Sequence, residues 1–346
     1  MKKIKVEDSI GYVLAHDLTK IVPGEFKGCR FKKGHIIQEE DIPELLNMGK
    51  EHIYVLELSP QDVHEDEAAL RLARAAVGWE NTGLKIGEPS EGRVNVVAEY
   101  PGLLKVNLSA LKAINQIPDV ILATLHNNYP VQGGQVVAGT RVIPLVTKEE
   151  YVARAEDICR AAGGILKIAP YRRLRVGVVT TGNEVYKGRI KDAFGPVVKA
   201  KIVQYGCQVE EEKIVPDDAV IISQAIREMV DRGLELILIT GGMSVDPDDV
   251  TPLGIRLTGA EVIAYGAPVL PGAMFMLAYL ESVPLMGLPA CVMYYRATIF
   301  DLVLPRILAG ERLTQADIAD LAAGGLCLGC QECRYPVCPF GKGGLS

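Results

Sequence analysis

In the segment LELILITGGMSVDPDDVTP (234–252), the adjacent Gly241 and Gly242 are followed closely by Asp246, Asp248 and Asp249. Paired glycines let backbone N–H groups approach an anion, while clustered carboxylates hold a cation or serve as ionised acid–base groups. Two further stretches repeat the design: Thr181, Gly182, Asn183 and Glu184 follow the apolar run 176–180, and Pro289 and Ala290 follow the run 285–288. Together they offer backbone donors, the hydroxyls of Thr181 and Ser244, the amide of Asn183 and the carboxylates of Glu184, Asp246, Asp248 and Asp249. That mixture suits a phosphorylated ligand carrying a metal or oxyanion group. Taken singly, each turn also fits a glycine bend leading into a solvated, acid-rich helix start.

The runs entering these turns are apolar without alternation, as in strands of a parallel sheet covered on both faces. From residue 176 strands and helices alternate: strands 176–180, 209–215, 234–240, 262–265 and 284–288, and helices 196–205, 219–232 behind Asp217-Asp218, one from about Asp249, and 294–308. This is the rhythm of an open α/β sheet, whose ligands gather at the carboxyl ends of its strands. If the strands are parallel neighbours, the three turns share one crevice. Arg296 and Asp301 read as an ion pair on the last helix. Residues 1–62 read as a β-rich unit with a helix over 39–48 and a strand over 52–56. Residues 63–172 read as an α+β region with helices 65–77, 109–115 and 148–162 and short apolar runs 93–98, 103–106, 120–125, 136–137 and 142–146. The fold class is therefore α/β: an open, mostly parallel sheet flanked by helices over 173–312, preceded by a β-rich α+β region and followed by a tail, 313–346.

The 346 residues carry a net charge of -6 and are 49% hydrophobic, with a pI near 5.6 and a mean hydropathy of +0.17. Acidity argues against a general nucleic-acid or anionic-membrane surface, so an anionic ligand must be gripped locally. No signal-like apolar core follows Met1, and no apolar run approaches the ~20 residues of a membrane span. A cytoplasmic location is expected.

Of eight cysteines, four crowd the tail: Cys327, Cys330, Cys333 and Cys338, spaced C-x2-C-x2-C-x4-C and followed by Pro339. In a reducing compartment such a cluster is a metal site before it is a disulfide framework. The bacterial ferredoxin run is similar but has x3 before its last cysteine, whereas zinc sites more typically join two separated C-x2-C pairs. Either an iron–sulfur cluster or Zn2+ would satisfy the thiolates; an unstructured tail with reactive thiols is the plain alternative.

The pieces TTGNEV (180–185), VPDD (215–218), TGGMSVDPDDVTP (240–252), PVLPG (268–272) and GLP (287–289), in this order, resemble the molybdopterin-binding domain of the molybdenum-cofactor biosynthesis family. LAHDL (14–18), FKKGHII (31–37) and LLNMGKEHIYV (45–55) are similar to the opening of its molybdopterin molybdenumtransferase branch. The resemblance implies molybdopterin, or adenylylated molybdopterin, as ligand and molybdate as co-substrate, with Mg2+ and release of AMP. It also implies a homodimer and a client molybdoenzyme. By motif, Thr181, Gly182, Asn183, Gly241, Gly242, Ser244, Asp246, Pro271, Gly272 and Pro289 would bind the ligand, and Glu184, Asp248 and Asp249 would be catalytic, Asp249 toward the metal. The chain departs from the family where Ser244 is followed by Val245-Asp246-Pro247 instead of x-Gly-Asp, and where Leu288-Pro289-Ala290-Cys291 replaces Leu-Pro-Gly-Asn. The retained carboxylates favour a transferase, while the altered loop and the cysteine tail favour a carrier or insertion factor. A nucleotide-metabolising relative of the competence-damage kind is a third reading, because that branch also has a glycine turn before DD-x-T.

Overall fold

The computed structural model describes residues 2–22, 26–56 and 61–343. Gly24 and Leu58, expected in a turn and at the end of the β-rich unit, lie outside the described residues. Six strands make the sheet of the carboxy-terminal half: β1 (Arg175–Thr181), β2 (Gln208–Val215), β3 (Leu236–Thr240), β4 (Glu261–Tyr265), β5 (Met276–Leu280) and β6 (Val283–Leu288). Their spatial order is β2-β1-β3-β6-β5-β4. β2, β1, β3 and β6 are mutually parallel, and β5 runs antiparallel to both of its neighbours.

Apolar residues without alternation are what a doubly covered strand requires, and every residue of β3 is buried. Leu236 and Leu238 join one core, with Val176, Val178, Met286 and Leu288; Ile237 and Ile239 join the other, with Val179 and Leu285. Helices cover both faces. α1 (Asn183–Tyr186) is a single turn after β1. α2 (Phe194–Val203) contributes Phe194, Val198 and Ile202 to the first core, and α3 (Ala219–Asp231) contributes Ile222, Ile226 and Met229 to the second. α4 (Thr251–Leu257) adds Ile255 to the second core. α5 (Cys291–Tyr294) precedes α6 (Ile299–Leu308), whose Ile299, Phe300, Val303, Leu304 and Ile307 complete the first. Asp218 caps α3 as its position suggests, accepting from the N–H groups of Val220 at 2.8 Å and Ile221 at 3.1 Å.

Several sequence expectations are corrected. β5 is an additional strand, joined to β6 across Glu281 and Ser282; Glu281 takes φ +56, so the turn carries no glycine to announce it. The helix expected over 294–308 is broken, because Thr298 is extended and forms a reciprocal cap with Asp301, whose Oδ2 accepts from Thr298 N–H at 2.8 Å. Asp301 pairs with Lys201 rather than Arg296, and the Arg296 carbonyl accepts from the same ammonium at 2.8 Å. The helix expected from Asp249 starts at Thr251. The runs 136–137 and 142–146 resolve into one strand, Val136–Val142, and a short one, Val146–Lys148.

The chain forms two compact units, residues 1–100, 104–125 and 132–168 in one and residues 101–103, 126–131 and 169–346 in the other. Within the first unit the opening segment keeps a core of its own around Val6, Leu14, Leu45 and Val55. The tail does not stand apart, since Leu313, Ile318 and Phe340 share a core with β3.

Candidate functional site

Ladder register sets the three turns in one row. Thr180 of β1 pairs with Thr240 of β3, and Thr240 pairs with Leu288 of β6. Consequently Thr181-Gly182, Gly241-Gly242 and Pro289-Ala290 leave the sheet side by side. From β1 the chain travels outward to β2 and returns past β1 to β3. This change of direction opens the crevice in which such sheets bind ligands.

The turns are tightly built. Gly241 sits at φ +90, and a Cβ there would lie 2.3 Å from the Thr181 carbonyl oxygen; Gly242, at φ +52, would place one 2.8 Å from the Thr251 hydroxyl. Only glycine meets both demands, a left-handed backbone and a close neighbour. Thr181 is buried, donates to the Thr240 carbonyl at 3.2 Å and shares a hydrogen bond of 2.9 Å with the Thr251 hydroxyl. Its hydroxyl thus ties the first tip to the second. At Gly182, φ +140, the Glu184 carboxylate folds back, and an added Cβ would meet its Oε1 at 2.9 Å. Asn183 N–H donates to Asp217 Oδ2 at 2.8 Å, which fixes the start of the turn after β1.

The acidic loop organises itself. Asp249 Oδ2 accepts from Ser244 N–H at 3.0 Å, and Asp249 N–H donates to the Asp246 carbonyl at 2.9 Å. Asp246 and Asp248 are exposed and Asp249 is half-buried. At the third tip Pro289 is buried and Ala290 exposed; Cys291 is half-buried, and that burial pushes its thiol pKa up, so it stays a neutral thiol. Pro271 and Gly272 lie in the β4–β5 loop, at the same edge of the sheet. The Pro271 carbonyl accepts from Ile299 N–H at 3.3 Å, and a Cβ on Gly272, φ +137, would lie 2.5 Å from the Ile299 side chain. Those two residues hold the start of α6.

Sequence reading missed three contributors. Asp217 props the Asn183 turn, the Thr251 hydroxyl pairs with that of Thr181, and Asp192 accepts from the Thr180 hydroxyl at 3.3 Å and from Phe194 N–H at 2.8 Å. Asp217 and Thr251 stand inside the VPDD and DDVTP pieces, so motif position was the available signal; Asp192 had none. Among the described residues no three His, Cys, Asp or Glu side chains are grouped closely enough to hold a metal ion. The four tail cysteines nevertheless line one cavity.

Residues 177–309 match a family described as "Probable molybdopterin binding domain". Residues 3–57 match a second family, described as a domain of unknown function (DUF8806). The chain is 23% identical over 304 residues to a molybdopterin molybdenumtransferase of Staphylococcus epidermidis, an alignment covering 82% of this chain and 65% of that protein. That coverage extends beyond residues 177–309 into the region 65–173, where the sequence motifs show no likeness. A CinA-like protein of Mycobacterium avium is 33% identical over 90 residues, 26% of this chain and 21% of that protein. The matched spans thus stay below two thirds of either relative's length. A tungsten cofactor synthesizing protein MoaB from Pyrococcus furiosus, 18% identical, aligns with 41% of this chain and 99% of that one at a TM-score of 0.34. No helix among the described residues is long and apolar enough to cross a membrane.

Proposed function

We propose that the molybdopterin-binding domain takes molybdopterin across the tips of β1, β3 and β6, and that the chain inserts molybdate into adenylylated molybdopterin with release of AMP. The row of tips, Thr181-Gly182 beside Gly241-Gly242 beside Pro289-Ala290, carries this reading. In it, backbone N–H groups at Gly182, Gly241 and Gly242 face the terminal phosphate, while the Asn183 amide and the Ser244 hydroxyl orient the pterin side. Thr181 fixes the spacing of the first two tips. Asp246, Pro271, Gly272 and Pro289 shape the walls. Glu184, Asp248 and Asp249 would hold Mg2+, which supplies neutralisation of the charge that builds on the phosphoanhydride as it breaks. Mg2+ keeps several waters and takes only one or two carboxylates beside substrate phosphates, so one or two of these three side chains would suffice. A cytoplasmic homodimer handing finished cofactor to a client molybdoenzyme completes the reading.

The second reading, a carrier that binds cofactor without turnover, is favoured by the third tip. Exposed Ala290 and the neutral thiol of Cys291 stand where the family places a glycine and an asparagine.

Purified protein supplied with adenylylated molybdopterin, molybdate and Mg2+ is expected to release AMP and yield cofactor. Asp249→Asn is expected to lower AMP release at least tenfold with the fold retained by circular dichroism. Tight binding with no AMP from the wild type would replace the transferase by the carrier.

A further inference from the structure

Residues 327–340 adopt no helix or strand, yet the segment is held. Cys327 N–H donates to the Leu270 carbonyl at 2.8 Å, the Tyr335 hydroxyl donates to the Asp301 carbonyl at 3.0 Å, and Phe340 is buried in the domain core. Around this loop lies a cavity of about 360 Å³ lined by Cys327, Cys330, Cys333 and Cys338 together with Arg296 and Arg334. Cys327 and Cys338 pack against the core at its base, while Cys330 and Cys333 are exposed. The cavity belongs wholly to the second unit, and Tyr294, Tyr295 and Arg296 on its wall follow the β6 tip.

We propose that these four cysteines ligate one [4Fe–4S] cluster in this cavity. The proposal does not depend on the molybdopterin reading. Its first support is one cavity shared by all four thiols. Zinc, at a Zn–S distance of about 2.3 Å, draws all its sulfurs within roughly 4 Å of one another. The cavity that the four cysteines line, about 360 Å³, has room for more than a single ion. A cubane cluster binds each thiolate to a different iron, so its ligands stand a cluster's width apart and the core fills the space between them. Spacing is the second support: three cysteines at two successive x2 intervals match the three ligands that the ferredoxin run gives to one cluster, and Cys338, which lines the same cavity, supplies the fourth. Charge is the third. A [4Fe–4S] core in its resting state with four thiolates is a net dianion, and Arg296 and Arg334 oppose the one lining carboxylate, Glu332. A loop without a hydrogen-bonded ladder also gains order from a metal crosslink, because binding free energy becomes folding free energy.

Loading involves no net redox change. A preassembled cluster bearing four small thiolates exchanges them for the four cysteines. Four Fe–S(cysteine) bonds form, four Fe–S(small thiolate) bonds break, and each cysteine proton leaves on a departing thiol.

The test uses the full chain under anaerobic conditions, mixed with a preassembled [4Fe–4S] cluster bearing four small thiolates, followed by desalting. About four irons and four sulfides per chain are expected, with broad visible absorption that bleaches on dithionite. Cys333→Ser should lose the iron, whereas Cys29→Ser, outside the cavity, should keep it. Because a tail variant could misfold, alkylation mapping of the wild type gives an independent readout: the four tail cysteines become protected on loading, and Cys29 labels throughout. One tightly held zinc in place of iron, or no retained iron with all four tail thiols still reactive, would overturn the proposal.

Discussion

The two chemistry-bearing regions of the second unit are positioned by opposite means. In the crevice, register does the work: Thr180, Thr240 and Leu288 are ladder partners, so residues next along each strand must emerge together. In the tail, Cys327 to Cys338 lie on a segment with no ladder, anchored at its ends and through Tyr335. A sheet edge therefore presents its groups with or without ligand. The tail brings its thiols to one cavity without such a ladder.

Substitutions should separate the two regions by size of effect. Gly241→Ala forces a side chain into a left-handed backbone and against the Thr181 carbonyl, and is expected to cost about 3 kcal/mol in urea unfolding. A wild-type midpoint would break the account of the tip. Thr251→Val removes the partner of the buried Thr181 hydroxyl, and about 1–2 kcal/mol should be lost in the same measurement. Cys330→Ser changes an exposed thiol in the metal-free chain, so stability should stay within about 0.5 kcal/mol of wild type. A larger loss there would mean that the tail, like the tips, is fixed by direct contacts without its ligand.

The same contrast explains what was legible in the sequence. Strands buried on both faces are written as unbroken apolar runs, so 176–180 and 236–239 announced both the sheet and its polar tips. β5 was hidden because Glu281 makes its turn without glycine, and the break before α6 because apolar periodicity runs straight through the Thr298–Asp301 capping box. Partners distant in sequence were out of reach of pattern: Lys201 for Asp301, Asp217 for Asn183, and Thr251 for Thr181. For the cysteines, residue type and spacing were plain, while their shared cavity emerged only in three dimensions.

Binding at the aligned tips is the central claim, and equilibrium dialysis of the purified chain against molybdopterin tests it most directly. The account predicts saturable binding of about one ligand per chain that is abolished when Ala290→Trp places a large ring at the exposed third tip. No retention by the wild type, or undiminished binding by a folded Ala290→Trp variant, would contradict it.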